Sequence, residues 1–292
     1  MPPRKKRNSA PPVSVTDRIG ALPDSILHHV LSFLPAQAAV RTCVLARRWR
    51  YLWRYTTGLR IVGLEEDGEY KVSDLHKFVE HLLILRERTD LDTVQIKFDE
   101  FCEEDQPCVN LWVRFAVMCK VRALTLHISD ERLNLDDLPL VSRHLRTLDL
   151  DGVALQKFFL DFASCPALEN LNMSYCSIFA GKFIFARDLK HCPTFTKLKT
   201  LLLNEYWCEG PDLDPLACIL KNSPVLEKLT LQLCSTGPNH KVVIKGSYSS
   251  MERPSAISEH LNIVEVKCNV IDEKILKVLK FLTTFNIRFG FL

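Results

Sequence analysis

Eleven cysteines, nine histidines and several runs of adjacent acids are the residues of this 292-residue chain best equipped for chemistry. A thiolate serves as a nucleophile or acyl carrier, and closely spaced Cys and His hold zinc. The spacing supports neither role. The cysteines are odd in number, scattered from Cys43 to Cys268, and none forms a C-x-x-C. Met1–Pro12 has no apolar stretch of the secretory kind, so the sequence predicts reduced thiols acting as small hydrophobes. His28 and His29 lie in a helix-periodic apolar segment, where packing or solvent contact is expected. Glu65-Glu66, Asp99-Glu100 and Glu103-Glu104-Asp105 fall in loop-like stretches and read as solvated surface. There is no glycine-rich phosphate loop, no G-x-S-x-G and no H-E-x-x-H. The expectation is therefore a binding protein with no catalytic residue, metal or cofactor.

Charge narrows what is bound. Residues 1–60 carry a formal charge of +9 and the remainder −6, within a net +3. A basic head suits an acidic partner, and the mildly acidic body suits a nucleic acid poorly. No run approaches the length of a membrane span, so no membrane association and a nuclear or cytoplasmic location are expected. Residues 1–16, rich in Pro, Ser and basic side chains, are expected to be a disordered tail. The cluster Arg4-Lys5-Lys6-Arg7 within it reads equally as an import signal or as a solvated tail.

The elements that present a binding surface begin with a helical block over residues 17–53. Asp24 follows Pro23 at a helix start, where a carboxylate suits the positive end of the dipole. Two adjacent apolar stripes follow, Ile26/Val30/Phe33 and Leu27/Leu31/Leu34, with Pro35 expected to end the helix. A second run at helical spacing holds Val40, Val44, Leu45, Trp49, Leu52 and Trp53. One stripe suffices to pack a small bundle. The other needs a cover, because a block under roughly 40 residues rarely buries enough surface alone. A partner protein, the following domain or both must supply it.

Beyond residue 60 the chain repeats L-x-x-L-x-L. The copies are Leu91/Val94/Ile96, Val121/Leu124/Leu126, Leu145/Leu148/Leu150, Leu168/Leu171/Met173, Leu198/Leu201/Leu203, Leu226/Leu229/Leu231 and Leu261/Val264/Val266. Starts recur at the irregular period of a leucine-rich repeat. The last two apolar positions point inward from a short strand. Cys176, Asn269 and, in a shorter match, Cys234 occupy the turn position that follows. Helical stretches such as Pro215–Asn222 lie between strands, and Cys165-Pro166 and Ser223-Pro224 lead into the next. A helix with Ile275, Leu276, Leu279 and Leu282 and a last strand at Thr284–Phe289 would cap the solenoid.

Two regions of the chain carry a family resemblance. Leu22-Pro23-Asp24-Ser25-Ile26-Leu27, its continuation through Leu34-Pro35, and Arg41-Thr42-Cys43-Val44-Leu45-Ala46-Arg47-Arg48-Trp49-Arg50-Tyr51-Leu52-Trp53 resemble an F-box of the large plant class. That class commonly has Ser where Ala46 stands and an acid near Ala38 or Ala39. Leu261–Cys268 and Lys274–Leu282 are similar to the C-terminal segment (FBD-like) of plant proteins that join an F-box to leucine-rich repeats. The resemblance implies an α/β protein: a short all-α F-box followed by an irregular leucine-rich-repeat solenoid. Its parts would be a tail (1–16), the F-box (17–53), a linker with the first solenoid elements (54–90), the repeats (91–259) and a cap (260–292).

The same resemblance implies the substrate-recognition subunit of a Skp-cullin-F-box ubiquitin ligase. Leu22, Pro23, Ile26, Val30, Leu34, Val40, Leu45 and Trp49 would contact the Skp-type adaptor, and through it a cullin, although some of them must pack the F-box itself. A substrate protein would lie on the concave face, against outward-facing Thr147, Asp149, Asp151, Asn170, Asn172, Thr200, Lys228 and Thr230. The alternative is a leucine-rich-repeat scaffold or receptor that works without the ligase.

Overall fold

A computed structural model describes residues 18–65, 68–69, 71–129, 131–135, 142–155, 165–178, 194–208, 213–233, 242–248, 257–285 and 287–289. The tail with its Arg4–Arg7 cluster, the start of the F-box block at Asp17, and Cys234 lie outside them.

The chain opens with helices α1 (Asp24–Leu31) and α2 (Ala36–Arg41). Helix α1 stops four residues before Pro35. Phe33 and Leu34 instead donate to the carbonyls of Val30 and Leu31, three residues back, and the residue before a proline is steered out of helical geometry. The second apolar run is also not one helix. It divides into 3-10 segments at Thr42–Val44 and Arg47–Tyr55, separated by extended Ala46.

Strand β1 (Gly58–Val62) follows, then a small hairpin, β2 (Leu64–Glu65) and β3 (Gly68–Glu69), and helix α3 (Val72–Leu85). Next come β4 (Thr93–Phe98), α4 (Gln106–Met118), β5 (Ala123–Ile128), β6 (Leu133–Leu135), β7 (Thr147–Asp151), β8 (Val153–Leu155), β9 (Asn170–Ser174) and β10 (Ser177–Ile178). The chain continues through β11 (Thr200–Asn204), α5 (Asp214–Lys221), β12 (Lys228–Leu233), β13 (Val242–Tyr248), β14 (Ile263–Cys268), α6 (Glu273–Thr283) and β15 (Ile287–Phe289).

Among the described residues the main sheet has ten strands in the order β1-β4-β5-β7-β9-β11-β12-β14-β13-β15. From β1 to β14 every pairing is parallel, and all seven repeats share one register. Val94, Leu124, Leu148, Leu171, Leu201, Leu229 and Val264 stand side by side, as do Ile96, Leu126, Leu150, Met173, Leu203, Leu231 and Val266. These side chains are buried against Val79 and Leu82 of α3, Trp112 and Ala116 of α4, Leu216 of α5 and Leu279 of α6, in one continuous core. Helices cover one face of the sheet; the other stays open. A short parallel sheet, β10-β8-β6, runs beside it. The turn into β8 needs Gly152, whose φ is +70° and whose Cβ would strike the carbonyl oxygen of Ile128.

One strand extends the repeat pattern and another departs from it. Strand β1 is an eighth copy, placing Leu59 and Ile61 beside Val94 and Ile96. Strand β13 breaks the pattern by pairing antiparallel with β14 and β15. The last strand begins at Ile287 because Thr284 and Phe285 donate back to Phe281 and Leu282, closing α6.

The F-box region is fused to this core. Ala36, Ala39 and Trp53 belong to the same apolar cluster as Leu59 and Leu82, with Leu34 and Val40 packed on it. Among the described residues no helix is long and apolar enough to cross a membrane.

Candidate interaction surfaces

On α1 the two apolar stripes part company. Leu27 and Leu31 close a small core with Trp49 and Leu52, and Leu22 and Leu34 pack against it. Ile26, Val30 and Phe33, one helical turn apart on the other side, remain 46%, 47% and 60% exposed. Ile19, Val44 and Leu45 are exposed as well, and so is Pro23. Arg48 holds the approach to α1 in place. It donates to Leu22 O (2.5 Å) and the carbonyl of Gly20, and pairs with Asp24 Oδ1.

Of the candidate adaptor contacts, the structure brings Pro23, Ile26, Val30 and Leu45 to the surface. Leu22, Leu34 and Val40 are half-buried, and Trp49 is buried. Phe33, Ile19 and Val44 are exposed apolar residues outside the candidate set. For Phe33 the signal was present, since it completes the Ile26/Val30 stripe.

The open face of the main sheet presents the alternate residues of each strand. At the strand starts Asn170 donates to Thr147 Oγ1 (3.2 Å) and accepts from Thr200 Oγ1 (2.5 Å), while Lys228 pairs with Glu265 (3.2 Å). These groups are engaged sideways, strand to strand. Thr230 is buried, at 4% exposure. The middle of the face carries the acids. Asp151 Oδ2 lies 2.9 Å from Nδ1 of His127, and that bond raises the imidazole pKa against the opposing effect of burial. Burial, and then the charge of Asp151, raises the pKa of Asp149, which also takes a hydrogen bond from Asn172. Ser174 donates to Asn172 Oδ1 (3.0 Å), and Gln232 donates to the hydroxyl of Tyr175 (2.7 Å).

Tyr175 is outside the candidate set, for a physical reason. It sits at φ +47°, in the turn after β9, where period-two alternation no longer says which way a side chain points. Below the face, Cys176 is buried with its thiol toward Leu150 O (3.6 Å), and burial pushes its pKa up to about 12. That thiol is a packing group, as are the buried Cys119 and the half-buried Cys108, which also stand outside any disulfide.

Along the lower rim an exposed ladder alternates in sign: Arg122 with Asp92 (2.9 Å), Arg146 with Glu169 (3.9 Å), Lys199 with Glu227 (3.3 Å). Such pairs add little stability. They do prevent any continuous stripe of one charge.

Comparison with known proteins agrees with this division. Residues 19–57 match the F-box domain family. An F-box protein of Arabidopsis thaliana is 28% identical over 290 residues, covering 92% of this chain and 88% of its own. An FBD-associated F-box protein of the same plant is 29% identical over 181 residues, 61% of this chain and 41% of its own. An F-box/FBD/LRR-repeat protein is 29% identical over 168 residues, 56% and 39% respectively. The chain thus spans most of one relative and about two-fifths of the other two. In sequence it resembles plant F-box proteins with leucine-rich repeats and an FBD segment.

Proposed function

We propose that this chain is the substrate-recruiting subunit of a Skp-cullin-F-box ubiquitin ligase. The F-box would hold a Skp-type adaptor and, through it, a cullin, in the nucleus or cytoplasm. The open sheet face would hold the substrate protein. The observation that carries this reading is the outer stripe of α1. Ile26, Val30 and Phe33 stay exposed although the inner stripe has a complete core of its own. An apolar row left exposed beside a completed core supports a docking role.

The chain's own contribution would be proximity, raising the effective concentration of substrate lysines beside a ubiquitin-charged enzyme. On the open face Gln95, Thr125, Asp149 and Asn172 offer mixed, mostly neutral hydrogen-bonding groups. That mixture suits a protein surface or peptide.

The experiment is capture of a purified recombinant Skp-type adaptor by the full chain. Wild type should retain it, and an Ile26→Asp/Val30→Asp variant should not. Failure of the wild-type chain to capture adaptor would leave the ligase-independent scaffold as the better reading.

A further inference from the structure

Arg86, the residue that caps α3, has no counterpart among the surface cations. It is only 6% exposed, and no carboxylate of the described residues pairs with it. Its guanidinium turns to the end of the F-box region. It donates to Thr56 Oγ1 (2.8 Å), to Trp53 O (3.5 Å) and to the carbonyl of Thr56. Those carbonyls end the 3-10 segment Arg47–Tyr55, and the C-terminal end of a helix favours a positive charge. Burial lowers the guanidinium to about 10, so it is still charged at neutral pH.

A buried cation without an anion is costly, and a well-packed apolar side chain serves stability as well or better. What an apolar side chain lacks is direction. The F-box meets the solenoid core largely through Ala36, Ala39 and Trp53, and contacts among such groups hold distance without fixing an angle. The planar fork of an arginine fixes both. Its neighbours are tied in the same way: Glu87 N donates to Arg54 O (3.3 Å), Asp92 N to Thr57 O (2.7 Å), and Arg60 to the carbonyl of Phe33. Arg86 is the member of this set that reaches two successive turns of the junction from inside.

We propose that Arg86 is a positioning residue that fixes the angle between the exposed stripe of α1 and the open face of the sheet. In the ligase reading, on which its significance rests, this angle sets where a bound substrate's lysines stand relative to the adaptor.

The joint is measured directly, without substrate or adaptor. Genetically encoded fluorophores at exposed Ser25 and Lys221 leave the native cysteines untouched, and single-molecule energy transfer on the full chain reads the distance distribution. Wild type should give one narrow distribution. Arg86→Met keeps the stem and removes the fork, and should roughly double the width, as expected when a few junction residues become a hinge. Arg86→Lys, with charge but no fork, should fall between. Leu229→Ala, which weakens the core far from the joint, controls for general loosening and should stay narrow. An Arg86→Met distribution as narrow as wild type overturns the proposal, and so does equal broadening by Leu229→Ala. Loss of adaptor capture by a wild-type chain with a narrow distribution would refute the ligase reading alone.

Discussion

Ser32, just past the end of α1, lies directly on Gly58, the first residue of β1: a Cβ built at Gly58 would come within 2.6 Å of the Ser32 carbonyl oxygen. Its neighbour there is main chain, which cannot swing aside. Gly58→Ala should therefore cost about 1–3 kcal/mol, the usual penalty for overpacking. Urea unfolding checks this, and a midpoint equal to wild type would mean the junction gives way easily.

The aligned leucines should be structural. Leu148 and Leu229 are almost wholly buried, so replacing either by Ala should lower stability by roughly 2–5 kcal/mol. Thermal melting of both variants tests the register, and unchanged midpoints would refute it.

On the F-box, binding and folding should separate by residue. Ile26→Ala with Val30→Ala should weaken adaptor capture by about 2 kcal/mol or more, near thirtyfold, with the melting temperature almost unchanged. Trp49→Ala should do the reverse first, lowering the melting temperature because Trp49 packs with Leu27, Leu31 and Leu52. If Trp49→Ala left stability intact, the assignment of inner and outer stripes would be wrong.

His127 should make stability depend on pH. Its hydrogen bond with Asp151 raises the folded-state pKa above the ordinary histidine value, with Asp99 adding to the rise while burial and Lys97 oppose it. The stabilisation is then complete below about pH 6.5 and lost as pH rises through the folded value. Asp149, raised by burial and by Asp151, acts in the same direction: its charge weighs against the fold at neutral pH and is relieved on acidification. His127→Gln should flatten the slope of stability above pH 6.5. Parallel pH profiles for variant and wild type would exclude this pair as the source.

Much of this architecture is legible in the residues. The seven strands could be placed because each needs two inward apolar side chains at fixed spacing. Strand β1 escapes the template because Thr56 stands where the other copies carry Leu or Val, its hydroxyl taken up by Arg86. Strand β13 escapes it because it is antiparallel and lies outside the repeat. The candidate site was harder. Leu27 and Ile26 are chemically alike and adjacent, so only the position of Trp49 and Leu52 decides which stripe faces out. On the open face alternation identified the outward residues. It could not show that Thr147, Asn170 and Thr200 would spend their hydrogen bonds on one another.

The place of β13 in the sheet bears on the order in which the protein is made. In the main sheet β1, β4, β5, β7, β9, β11 and β12 emerge in the sequence in which they pair, so each can join the edge left by the one before. At β13 that rule fails. The edge beside β12 belongs to β14, and both partners of β13 are synthesised after it. Residues 242–248 have no partner in the main sheet until residues 263–268 have docked, and β15 then pairs Gly246–Tyr248 from the other side. A chain cut short within α6 would hold β13 by one flank, with its other edge open to a neighbouring polypeptide. Pairing with β15 is what withdraws that edge from reach.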